Sequence, residues 1–147
     1  MNGLRILHPR KFEEILKKRY EFVYKFAQMW RNSGITALIS PIWPHCAPKA
    51  KNTPEMGLFL EYSIMWNLTG FPSGIIPVTK VQTDEQHFTD QYKDSWTEVI
   101  HDDSQNSGDM PIGIQVVGYA FEDEKVLGIM KQLEEKIEYK IDMPPVI

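Results

Sequence analysis

Hydrolysis by a nucleophilic side chain requires an activated serine or cysteine, a base within reach and donors for the developing oxyanion. The 147-residue chain offers few groups that meet this demand. Cys46 stands beside His45, but neighbours on an extended chain point apart, so the two do not read as nucleophile and base. Ser73 lies next to Gly74, with Phe71 and Pro72 before it and Pro77 after it. That context reads as a turn into a strand, and no GxSxG elbow occurs. His87, His101, Asp102 and Asp103 match no metal-ligand spacing and sit in a strongly polar stretch, so they read as solvated side chains. Gln115 interrupts an apolar strand. A polar group there must find hydrogen-bond partners, and its role is to fix local structure. The residues therefore assign no catalytic group, no metal ligand and no cofactor, and without a glycine-rich phosphate loop nucleotide binding has no support.

The elements that must position these groups follow from periodicity. From Pro9 to about Trp30, apolar residues recur at helical spacing between lysines and glutamates, predicting one amphipathic helix closed near Gly34. ITALISP is a short buried strand, and the proline-rich IWPHCAPKAKNTP an irregular surface loop. Thr53-Pro54 has the chemistry of a helix start. The helix that follows, to Gly70, is apolar around nearly its whole circumference, the mark of a helix buried in a larger body. GIIPVTKV, β-branched on both faces, predicts a central strand. Thr83 and Gln86 form a capping box for a third helix carrying Phe88, Tyr92, Trp96, Val99 and Ile100. MPIGIQVVGY predicts another strand, and FEDEKVLGIMKQLEEKIEY a final helix with acidic residues at its start.

Helices thus alternate with short two-sided apolar strands, an α/β pattern in which a sheet carries helices on both faces. Three such strands leave apolar edges uncovered, which implies partner strands from outside the chain. A net charge of -4 gives no general attraction for phosphate backbones, so nucleic-acid binding is not expected. The single cysteine allows no intrachain disulfide and suits a reducing cytoplasm. No run approaches the ~18 apolar residues of a membrane span.

Two segments carry a family likeness: NLTGFPSGIIPVT, Asn67 to Thr79, and MPIGIQVVGYAFEDEKVLGIMKQLE, Met110 to Glu134. Asn67, Gly70, Pro72 and Pro77, followed by Pro111, Gly113 and Gln115, resemble the carboxy-terminal region of the amidase-signature hydrolases. The stretch from Glu61 to Trp96 is most similar to fatty acid amide hydrolases within that family. The resemblance runs from about Tyr20 to Glu134, with residues 1–19 weakly matched. It implies that residues 1–147 are the carboxy-terminal part of one amidase domain, with the mixed sheet of that fold incomplete in this chain. It further implies hydrolysis of fatty acid amides or N-acylethanolamines by a Ser-Ser-Lys triad that no serine or lysine here matches, so a missing amino-terminal catalytic part would supply the chemistry. The chain alone is then expected to be inactive. What the resemblance carries over is substrate binding: Gly57, Leu60 and Ile64 match a helix lining the acyl channel, and Trp96 a tryptophan beside it. A lipid amide is the implied substrate, and membrane contact is a property of the complete enzyme only. The residues by themselves equally allow Leu60 and Ile64 to be core positions of a buried helix. Two other readings stand beside this one: a non-catalytic acyl-binding or interaction module derived from such an enzyme, and a fragment of a small-amide amidase.

Overall fold

The computed structural model describes residues 9–89 and 91–140. Residues 1–8 of the weakly matched amino-terminal segment lie outside the described residues. Helix α1 runs Pro9–Ser33. Proline needs no amide partner in a first turn, and Gly34, at φ 69°, ends the helix where a side chain would be strained. After strand β1, Leu38–Pro41, an irregular loop leads to a helical segment in two parts. Thr53–Leu60 is a 3₁₀ helix, and α2, Glu61–Thr69, continues it. One continuous α-helix was expected here. The tighter winding has local causes: the Thr53 hydroxyl donates to the Lys49 carbonyl 3.4 Å away rather than capping an amide, and Gly57 is a poor α-helix former. Gly70, at φ 73°, closes α2 with its amide on the Trp66 carbonyl.

Strand β2, Ser73–Lys80, pairs antiparallel with β3, Pro111–Val117, which pairs antiparallel with β1 on its other side. The order is β1-β3-β2. Among the three strands of the described residues β3 lies in the middle and β2 on one side of it. The register slips between Pro77 and Thr79, beside a residue that has no amide to give the ladder. Helices cover both faces. Gln115 and Val117 meet α2 and the core formed with Trp30, Trp66 and Phe71. The opposite face, carrying Gly74 and Val116, meets α4, Asp123–Ile137. Gly74 lets α4 approach closely, since a methyl group in its place would press on the end of the Met130 side chain and make it shift.

The third helix is shorter than expected. α3 spans Ser95–Ser104, and Asp94 caps it by accepting the Thr97 amide at 2.8 Å. Phe88 and Tyr92 therefore precede the helix. The capping box belongs to Gln82 and Glu85 and closes only the 3₁₀ turn Thr83–Glu85.

Gln115 behaves as its position in an apolar strand demands: fully buried, it donates to the carbonyls of Pro41 (2.9 Å) and Tyr62 (2.7 Å), tying β1 and α2 to the central strand. Replacing Gln115 by leucine keeps the volume but leaves both carbonyls without that donor. The expected loss is ~1–3 kcal/mol, read as a lower urea midpoint at unchanged slope; an unchanged midpoint would show that the two bonds contribute nothing net.

Candidate functional site

The residues matched to the acyl channel lie along one side of the helical segment. In a 3₁₀ helix positions i and i+3 eclipse, which aligns Gly57 with Leu60, and Ile64 follows one α-turn later. The stripe is open: Leu60 is 50% and Ile64 54% exposed, and nothing lies within 4 Å of where a Gly57 side chain would begin. A helix apolar on all sides thus buries Met56 and Trp66 on one side and leaves the other uncovered in this chain.

Trp96, in the first turn of α3, is half-buried and meets the edge of Phe59, with ring centroids 5.6 Å apart. Phe59 also contacts Trp43 at 5.7 Å and His45 at 5.8 Å, both edge-on. The four rings interlock in the T-shaped contacts that aromatic quadrupoles favour. Trp96 therefore meets the 3₁₀ helix through Phe59, which eclipses the buried Met56 rather than the stripe of Gly57, Leu60 and Ile64.

Behind the rings lies a polar hub absent from the sequence reading. Asp103, expected to be solvated, is fully buried. Its carboxylate accepts from His45 Nε2 at 3.1 Å, from the Lys49 amide at 2.9 Å and from Asn52 Nδ2 at 2.7 Å. A carboxylate only accepts, so His45 carries its proton on Nε2. Asp102, half-exposed beside it, binds Lys51 at 2.8 Å, Asn52 at 2.9 Å and Lys49 at 3.2 Å, and Lys49 also donates to the Asp102 carbonyl. The Lys51 contact, then Asn52 and Lys49, holds the Asp102 carboxyl well below the usual carboxylate range. The prolines made the loop look like free surface; these two aspartates pin it to the end of α3.

The hydroxyls and the thiol are committed elsewhere. Ser104 donates to the His101 carbonyl at 2.8 Å, Ser107 to that of Ser104 at 2.6 Å, and Cys46 to that of Asp103 at 3.5 Å. A backbone carbonyl cannot take a proton, so these contacts activate no nucleophile. They border a cavity of about 360 Å³ that His45 and His87 also line. His101 pairs with Gln105 at 3.2 Å. Among the described residues no three His, Cys, Asp or Glu side chains are grouped to hold a metal ion, and no helix is long and apolar enough to cross a membrane.

A family model described as Amidase matches residues 5–127. The chain belongs to the amidase family. A fatty-acid amide hydrolase 1 of Sus scrofa is 22% identical over 135 residues, covering 87% of this chain and 23% of its own length. An amidase of Gibberella moniliformis is 32% identical over 110 residues, covering 74% and 18%. A solved fatty acid amide hydrolase superposes with a TM-score of 0.72 at 17% identity, over 95% of this chain and 25% of that one. This last likeness is one of fold. The chain spans about a quarter or less of the length of these proteins, and is a hydrolase-family segment similar to fatty acid amide hydrolases.

The Asp102 contacts carry a pH dependence. Its pKa in the folded chain is depressed from an ordinary 3.8, so its stabilisation is complete above that value and is lost as pH falls toward the folded value. Asp102→Asn should destabilise the chain at about pH 7, with the gap to the parent narrowing below about pH 4 in urea titrations. A gap constant down to about pH 3 would count against these ion pairs as its source.

Proposed function

We propose that the chain supplies sheet strands and one wall of the acyl site of a serine-type amide hydrolase acting on fatty acid amides or N-acylethanolamines, while another part of the enzyme supplies the Ser-Ser-Lys triad. The observation that carries this reading is the open apolar stripe of Leu60 and Ile64, with Trp96 meeting the same helical segment through Phe59. Apolar side chains left half in water gain from any cover, and an acyl chain is cover that a polar substrate is not. The remainder of the domain is proposed to lie over the uncovered sheet edges as well, where Ile39 of β1 and Ile75 of β2 are more than half exposed. Such an enzyme would work in the cytoplasm, where Cys46 stays reduced, and any membrane contact would belong to the complete enzyme.

The test joins the chain to the catalytic part of a related amidase and compares long with short acyl amides. Ile64→Trp and Leu60→Trp should narrow the acyl site and lower kcat/KM for long amides at least tenfold more than for short ones, a discrimination of ~1.4 kcal/mol or more. Because both side chains are half exposed, the melting temperature should hardly change. Ile137→Trp, on the half-buried side of α4, is the control: overpacking costs ~1–3 kcal/mol of stability and lowers both activities together. An unchanged long-to-short ratio with a lowered melting temperature in both stripe variants would return Leu60 and Ile64 to a purely structural role.

A further inference from the structure

Trp96 and Asp103 lie seven residues apart on α3, two turns along one face. Each is gripped by a different part of the chain. Trp96 meets the ring of Phe59, from the 3₁₀ helix, and Asp103 bonds His45, from the preceding loop. Those two partners also touch each other, with the His45 and Phe59 rings 5.8 Å apart. The contacts close a circuit from Asp103 through His45 and Phe59 to Trp96 and back along α3. We infer that the buried Asp103–His45 pair is a positioning device that sets the placement of Phe59 and Trp96, and through them the aromatic wall of the acyl site. The inference rests on the reading of Trp96 as part of that wall.

Three observations support it. The Asp103 side chain is wholly buried and that of His45 is 9% exposed, and taking a carboxylate out of water costs free energy that offsets much of what its hydrogen bonds return. The pair's gain lies in direction, because the hydrogen bond fixes the plane and tautomer of the imidazole where an apolar ring could turn. The carboxylate is itself held by the Lys49 amide and Asn52, so it forms a rigid anchor. Lastly, the imidazole presses on Phe59 at an interplanar angle of 70°, and Phe59 meets Trp96 at 74°. In such edge-on stacks a turned ring displaces its neighbour, because packed aromatic groups have little free volume.

The test uses the full chain labelled with 5-fluorotryptophan, whose four resonances are assigned by single Trp→Phe replacements. His45→Phe retains a ring against Phe59 but removes the bond to Asp103; Asp103→Asn weakens the same bond from the other side. Both should displace or broaden the Trp96 resonance while Trp30 and Trp66, in the separate core cluster, keep theirs. Asp102→Asn, which loses the neighbouring contacts to Lys51 and Asn52, should leave Trp96 in place. In a Phe59→Leu background His45→Phe should no longer move Trp96, since the link between them is gone. An unmoved Trp96 resonance in both His45→Phe and Asp103→Asn would overturn the inference, as would loss of all four resonances in both, which would make the pair a requirement for folding. In the joined enzyme, His45→Phe should also change the long-to-short amide ratio. A moved Trp96 resonance with an unchanged ratio would support the circuit and instead overturn the place of Trp96 at the acyl chain.

Discussion

From Ile114 to Val117 strand β3 is hydrogen-bonded along both edges and covered on both faces, and the neighbouring elements are placed by that demand. A strand in this position exposes no main-chain polar group to water, so each must be matched by a neighbour, and β1 and β2 do so from opposite sides. Its side chains must then be sheltered above and below. Trp30 and Trp66 bring α1 and α2 against Val117 on one face, while α4 closes on Gly74 and Val116 on the other. Gln115 is the single polar interruption in the strand, and it is the residue that ties β1 and α2 to the sheet. The remaining elements hang from this frame: the loop after β1, the 3₁₀ helix before α2 and, through Asp103, helix α3.

The uncovered surface follows from the same geometry. Among the described residues β1 and β2 each pair with a strand on one edge, and both carry exposed isoleucines. α1 spends Phe26, Ala27 and Trp30 on the core, whereas Phe12, Ile15, Tyr20 and Phe22 remain in water. A chain covering about a quarter of its relatives' length shows apolar surface of this kind at the sheet edges and along the helices, and large apolar patches on a protein mark places where something else docks.

Much of this order was legible before the structure. The helix opened by Pro9, the strand carrying Gln115, the final helix and the glycines that end helices all follow from local chemistry, and the paired motifs around Asn67 and Gln115 identified the family. Three features were not legible, each for a physical reason. The order of the strands depends on what lies beside each, and β-branched residues on both faces of β2 do not say that β3 comes between it and β1. The start of α3 is set by the Asp94 cap, which a more evenly spaced run of aromatic residues obscured. Asp103 looked solvated because its neighbours are polar, and its burial is created by His45, Lys49 and Asn52 from a loop more than fifty residues earlier in the chain. Contacts across that distance leave no periodic trace.

The proposed division of labour, a wall built here and chemistry supplied elsewhere, is tested most directly by a fluorophosphonate probe, which bonds covalently to an activated serine. The purified chain should remain unlabelled under conditions in which the chain joined to the catalytic part of a related amidase is labelled stoichiometrically, with every modified serine mapping outside residues 1–147. Stoichiometric labelling of any serine within the chain itself would contradict that division and place a nucleophile in this segment.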